Sequence, residues 1–342
     1  MSGPAAGELP PRGTEAVEPP PRRKRWPTLL RLGFGLALLA VAVRSADLHA
    51  VGAMLAGLRP LTALAAFALF ACDRSLMAYK WDVLLRARGL GVGFATALRL
   101  YLVGGLVGAV TPGGIAGEVY RVVALGERGK AAVASTVVVE RLLGMVVMGL
   151  FTLATIPAAA GYFGLGSKAV IWTALVLVGL SLAAVLAPLR PGVAEVASRA
   201  IPGLRRGRMA ARLERFFAVY RQAGAHSGTA VFLLLTVLDV LVMIGVDFAA
   251  ARALGIQAPW QFFLLTTPTI QFLGRLPITF AGLGVLEGLY LVALRQAGFP
   301  PEAGVAFGLF RRVIPLCVAN LPAALMLWLR PFPSLSSRGS SR

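Results

Sequence analysis

The sequence predicts an all-α polytopic membrane protein, with six spans and two re-entrant or broken hairpins in an inverted repeat. Three observations carry this. First, 57% of the 342 residues are hydrophobic and 14% are charged, against about 45–50% and about 25% in soluble domains. The mean hydropathy is +0.76. That leaves too little polar surface to coat a water-soluble globule, and the same composition excludes a disordered chain, a coiled coil, a disulfide scaffold or a collagen-like fibre. Second, several apolar tracts have the length of a membrane span, about 17–25 residues. Third, the basic residues behind the net charge of +19 gather in the gaps between those tracts, where Lys and Arg mark cytoplasmic loops. No nucleic-acid-binding module accompanies the charge, so nucleic acid is not expected as a partner.

The elements follow in order. Residues 1–26 are proline-rich and poor in large apolar side chains, and are expected to be a disordered cytoplasmic tail. The tail ends in Arg22-Arg23-Lys24-Arg25, which holds the N-terminus inside. Ala40-Val41-Ala42 imitates a signal cleavage site, but the leader is too long and Arg31 interrupts its apolar region. The expected spans are Pro27–Val43, Pro60–Tyr79, Ala131–Ile156, Ala169–Ala187, Thr229–Ala251 and Ala303–Leu329. Two further apolar regions, Phe94–Leu125 and Gln261–Leu294, are broken near the middle. The first break is Thr111-Pro112-Gly113-Gly114, and the second is Leu276-Pro277 with Gly282 and Gly284. Each is either a re-entrant hairpin or two closely packed spans.

Loop charge fixes the expected orientation. Residues 188–228 carry eight arginines against Glu195 and Glu214 and are read as a cytoplasmic loop. The gaps around Lys80–Arg88 and Arg128–Lys130 are also inside, and Pro157–Lys168 and Arg252–Trp260 are outside. The tail 330–342 is inside. These assignments agree if each broken region enters and leaves on one face. The halves 27–156 and 169–329 then both read span, span, broken region, span, with opposite orientation, as many transporters do. Motif order agrees too. Pro112 precedes Gly117-Glu118 and then Glu140-Arg141; Pro277 precedes Glu287 and then Arg311-Arg312.

Charged side chains deep in a bilayer cost roughly 2.5–3.5 kcal/mol each on insertion scales, so they need a reason. Arg141 lies about 15 Å into its span, at about 1.5 Å per residue. Glu140 is beside it but points about 100° away and is a poor partner for it. Arg311 and Arg312 are similarly deep. Asp239 and Asp247 share one side of the sixth region, and Asp73-Arg74 lie deep in the second span. Arg121 is one turn after Glu118 and is its expected local partner. Candidate substrate or translocation residues are therefore Glu118, Arg121, Glu140, Arg141, Glu287, Arg311 and Arg312. Candidate hairpin-turn residues are Pro112, Gly113, Gly117, Pro277, Gly282 and Gly284. Each charge could equally serve a structural ion pair, and Gly104–Gly108, Gly113–Gly117 and Gly284–Gly288 could serve close helix packing alone. Arg99 and Arg275 stand near the hairpin mouths. Arg208–Arg221 reads as a basic amphipathic helix for an anionic leaflet or for the bundle's inner face. Cys72 and Cys317 are expected to fill the core. Catalytic, metal and cofactor patterns are not found: His49 and His226 fall in loops, and no HExxH or Walker A is present.

The segments Arg99-Leu-Tyr101, Thr111-Pro-Gly-Gly-Ile-Ala-Gly-Glu-Val-Tyr-Arg121, Val139-Glu-Arg-Leu-Leu-Gly144 and Leu276-Pro-Ile-Thr-Phe-Ala-Gly-Leu-Gly-Val-Leu-Glu-Gly288 together resemble the lysylphosphatidylglycerol synthase transmembrane-region family of flippase-like proteins. The resemblance covers about Pro27–Leu329 and departs mainly at Glu118 and Glu140, where the family more often has Asp. It implies a multi-pass inner-membrane protein, similar to the part of aminoacyl-phosphatidylglycerol synthases that moves the modified lipid; loop charge puts both termini in the cytoplasm. Arg342 is 13 residues past Leu329 (342 − 329), so a module without the synthases' soluble transferase domain, and not an enzyme, is expected. The leading reading is a translocase of a polar or anionic lipid or lipid-linked headgroup. A membrane subunit that binds or regulates an envelope-lipid enzyme is the alternative, and a membrane-embedded lipid-modifying enzyme the second alternative. Membrane lipids with anionic headgroups are the expected partners; a protein partner stays open.

Overall fold

The computed structural model describes residues 44–159 and 228–329, apart from 45, 110, 112–113, 127–128 and 275–284, with scattered positions between 172 and 190 and at 218. The expected span Pro27–Val43, most of Ala169–Ala187, the basic helix Arg208–Arg221 and both tails lie outside the described residues. So do Pro112, Gly113, Arg275, Pro277, Gly282 and Gly284. The described residues are all-α. They form α1 (Leu48–Ala56), α2 (Pro60–Arg86), α3 (Phe94–Gly108), α4 (Ile115–Ala124), α5 (Lys130–Ala159), α6 (Gly228–Ala253), α7 (Trp260–Gly274), α8 (Val285–Gln296), α9 (Pro301–Pro315), a π-helical turn (Leu316–Asn320) and α10 (Leu321–Leu329).

Four stretches are long and apolar enough to cross a bilayer: Pro60–Arg86, Lys130–Pro157, Gly228–Ala253 and Pro301–Leu329. They match four of the six expected spans. The last is continuous through α9, the π turn and α10, with Pro315 at the junction. The exterior is apolar: Leu61 and Leu64 on α2, Leu234, Leu238 and Leu241 on α6, and Trp328 on α10 are all exposed. Backbone polar groups are satisfied within each helix, so such a surface suits lipid. Cys72 and Cys317 are on this exterior and do not fill the core, contrary to expectation. α1 was not expected from the sequence. Nine residues rise only about 14 Å, too short to register as a span, and Asp47 caps them by accepting from the backbone N–H of His49 at 2.8 Å.

α2 and α6 form the central pair. The buried positions of α2 include Ala66, Phe70, Asp73, Met77, Lys80 and Leu84. Those of α6 include Phe232, Thr236, Asp239, Met243, Val246 and Ala250. Both stripes recur at alternating three- and four-residue spacing, which keeps a seam facing a partner helix. The pair is antiparallel. At one end the backbone N–H of Arg59 donates to the carbonyl of Ala253 at 2.9 Å, and at the other Gly228 abuts Ala87.

That pair supplies a frame for the broken regions. Asp82, near the C-terminal end of α2, accepts from the backbone N–H of Val92 and Gly93 at 3.1 and 3.2 Å and so fixes where α3 begins. Leu125, just past α4, packs with Ala78, Trp81 and Leu85 at the same end. α7 begins at the opposite end, a few residues after Ala253. α8 is followed there by Glu302, whose side chain accepts from the backbone N–H of Asp47 at 3.1 Å. α3 and α4 have 15 and 10 residues, and α7 and α8 have 15 and 12. At about 1.5 Å per residue each falls short of a 30 Å hydrocarbon core.

α3 folds back on α4 at glycine contacts. Gly114 caps α4 at φ +71°, a left-handed conformation that costs a side chain dearly. A Cβ on Gly117 would overlap the carbonyl oxygen of Gly104, and one on Gly108 would press on Gly114. Close packing of backbones is therefore a demonstrated role for these glycines. A Cβ on Gly288 would meet nothing within 4 Å. The second region packs instead through Gly304 and Gly308 of α9, set against Leu291 and Glu287 of α8.

A pair of arginine-lined cavities

The deep charges are paired crosswise between elements. α5 leaves its first turns with Glu140 and Arg141 about 100° apart, so the two serve different partners on α4. Arg121 donates to Glu140 Oε2 at 2.8 Å, and Tyr101 on α3 donates to Oε1 of the same carboxylate at 2.7 Å. The Arg121 guanidinium lies over the rings of Trp81 and Tyr101, 4.8 and 4.5 Å from their centroids. Arg121 and Glu140 are both buried. Arg141 pairs with Glu118 and stays partly open, with side chains 21% and 28% exposed. Glu118 thus takes Arg141, not the expected Arg121. The two span positions of α5 reach further across the hairpin than one helical turn does within it.

The second half repeats these ingredients with different residues. Arg312 on α9 donates to Glu287 on α8 at 2.8 Å. Arg311 pairs with Asp247 of α6, which also accepts from Thr267 at 2.8 Å and from Tyr290 at 2.5 Å. Each half thus has a buried carboxylate held by an arginine and a tyrosine, and a glutamate–arginine pair whose arginine is more open. Asp247, Tyr101 and Tyr290 were not among the expected site residues. Asp247 had been noted for depth alone, and a tyrosine in an apolar tract carries no signal of what its hydroxyl meets.

These charges border two cavities. The larger, about 390 Å³, is lined by Tyr101, Glu118, Arg121, Glu140 and Arg141 of the first half. The smaller, about 230 Å³, is lined by Glu287, Tyr290, Arg311, Arg312 and Pro315. Arg74, Gln271 and Leu286 line both. All seven charged candidate residues therefore reach a cavity wall. Arg141 and Arg311 stand in different cavities. The helix ends that flank both breaks also meet here: Gly108, Ala109 and Gly114 of the first region and Gly274 and Leu286 of the second line the larger cavity. Gly114 brings the N-terminus of α4 to that wall, where unpaired N–H groups and the helix dipole favour negative charge.

Five arginines (Arg74, Arg121, Arg141, Arg311, Arg312) and three glutamates (Glu118, Glu140, Glu287) face the two spaces. Asp73 and Asp247 stand behind Arg74 and Arg311, so each of the five arginines has a carboxylate partner, and the guanidinium groups are the cationic part of the walls. Arg74 was legible only as a deep charge beside Asp73. Its place between the cavities depends on how α7 and α8 come together, which no local pattern encodes. Among the described residues no three His, Cys, Asp or Glu side chains gather as a metal site. Lined by polar pairs and roofed by apolar helices, the cavities can hold a charged group away from hydrocarbon.

No curated protein matches the chain. The sequence motifs that supply this wall, from Tyr101 through Glu118 and Arg141 to Glu287, fall within residues 28–323, which match the model of the lysylphosphatidylglycerol synthase transmembrane region. The chain is a multi-pass membrane protein and belongs to that family.

Proposed function

We propose that the chain moves a lipid with an anionic polar headgroup from one leaflet of the cytoplasmic membrane to the other. The observation that carries this reading is the pair of arginine-lined cavities that share Arg74 in their walls, beside the breaks of both hairpins. A headgroup needs a sheltered polar path of this kind, because crossing bare hydrocarbon strips its water at prohibitive cost. The acyl chains would stay in lipid along the apolar exterior. The finer architecture belongs to the same proposal: six spans, two re-entrant hairpins, an inverted repeat, and both termini inside. Hairpins that enter from opposite faces and meet at one polar space would let either side open in turn. The hairpin ends on opposite ends of α2, and helices too short to cross, support this.

The test is reconstitution of the purified protein alone into phosphatidylcholine vesicles carrying a few per cent of fluorescent phosphatidylglycerol, read by chemical quenching of the outer leaflet. Protected probe should become quenchable at a rate that scales with protein. R141Q and R312Q should slow it at least about tenfold, the loss of one charge-assisted contact being worth about 1.5–3 kcal/mol. Movement no faster than in empty vesicles sinks the proposal and favours a subunit that serves another enzyme.

A further inference from the structure

Asp73 on α2 is wholly buried, and its two oxygens have different surroundings. Oδ2 accepts from the Arg74 guanidinium at 2.7 Å. Oδ1 is buried with no hydrogen-bond partner. An ionised carboxylate can only accept, but a protonated one gains a donor. An acceptor stands opposite: Asp239 lies on the buried seam of α6 that faces the α2 seam carrying Asp73, and the two carboxyls act on each other electrostatically. Asp239 is held from Oδ2 by the buried Lys80 at 2.8 Å. Two facing carboxyls bond to each other only with a proton between them. The charged or titratable groups facing this pair include Arg74 and Lys80 on α2, Arg311 from α9, and Tyr101 from α3 against Arg74. Arg311 is itself held by Asp247. What makes the location consequential is Arg74: it holds Asp73 Oδ2 and also lines both cavities, with its side chain 26% exposed.

We propose that Asp73 and Asp239 form a proton-binding site, and that a proton there releases Arg74 to take the anionic headgroup. The idea rests on the translocation reading and adds its coupling ion. A proton from cavity water bonds to Asp73 Oδ1 and is donated to Asp239. Asp73 loses its negative charge and its hold on Arg74. The headgroup's charge then replaces that of the carboxylate at the guanidinium. When the headgroup leaves, Arg74 returns to Asp73 and the proton goes back to water. Proton and anion bind together, and the local charge is the same in both states. By linkage each must favour the other to the same degree.

The experiment uses the full chain in detergent with dihexanoyl-phosphatidylglycerol as probe. Binding is read by tryptophan fluorescence, and proton uptake by an indicator dye in weak buffer. Wild type should take up a proton on binding near neutral pH, and its affinity should fall as pH rises, by up to about tenfold per pH unit for one linked proton. D73N, which keeps a neutral side chain there, should bind with no proton uptake and a flat pH profile. D239N should also lose the uptake. Binding without proton uptake by wild type overturns the proton site and leaves the lipid reading standing. A D73N pH profile like that of wild type overturns it as well. No binding at any pH overturns the lipid reading and the proton site with it. The wild-type uptake decides the matter even if a variant fails to fold.

Discussion

Glu140 and Glu118 are each paired with an arginine, but their surroundings set different jobs. Glu140 is buried, takes Arg121 and Tyr101 on separate oxygens, and its arginine is wedged against Trp81. Removing its charge strands a buried guanidinium, a change that costs about 3–5 kcal/mol in such pairs. Glu118 shares its arginine with the cavity and is 28% exposed, so solvent compensates much of its loss. E140Q should therefore lower the thermal midpoint of the detergent-solubilised protein by several degrees, whereas E118Q should leave it nearly unchanged and act on lipid movement instead. Equal melting shifts would show that the two pairs play the same structural part. Here the sequence was informative about which charges lie deep and silent about whom they meet. Depth in an apolar tract follows from position along the chain. The exchange of partners, Arg121 to Glu140 and Arg141 to Glu118, depends on the rotation of α4 against α5, which neighbouring residues do not determine.

The breaks were visible as Pro and Gly in apolar tracts, and the helices do stop there: α3 ends at Gly108 and α4 starts at Ile115. The glycine spacing was only half informative. Gly104, Gly108 and Gly117 bring two backbones together, but a Cβ on Gly288 would meet open space, and the second region relies on Gly304 and Gly308 of α9. GxxxG spacing marks a face that could pack and does not name its partner. G117A should force α3 and α4 apart and abolish lipid movement, while G288A should be tolerated in both activity and melting temperature. A fully active G117A would mean that the hairpin contact is dispensable. The π turn at Leu316–Asn320 had no sequence signal beyond Pro315 and Pro322, because an extra residue in a helical turn is a response to packing.

Across the whole molecule, composition and tract length were enough for the all-α membrane class and for four long spans, since those follow from length and hydropathy alone. They did not reveal α1, nor the cavities, which depend on long-range packing. The proposed topology has a direct check. With Cys72 and Cys317 replaced, cysteines at Gly126 and Arg128 should react with an impermeant reagent only from inside, and those at Ala258 and Ala297 only from outside. Reaction of the two ends of one broken region from opposite faces would rule out the re-entrant hairpins and the inverted repeat together.

Arg74 borders both cavities, and a side chain can be in only one place. If it attends to the headgroup, two headgroups arriving from opposite leaflets must queue for it. The protein then works as a turnstile and not as an open trough. It should saturate with lipid, and unlabelled anionic lipid on the far side should slow or exchange with the labelled species. The same exclusivity denies small ions a continuous wet file from face to face. Planar-bilayer recordings of the purified protein should find no steady ion current, and a sustained conductance would mean that both cavities stand open at once.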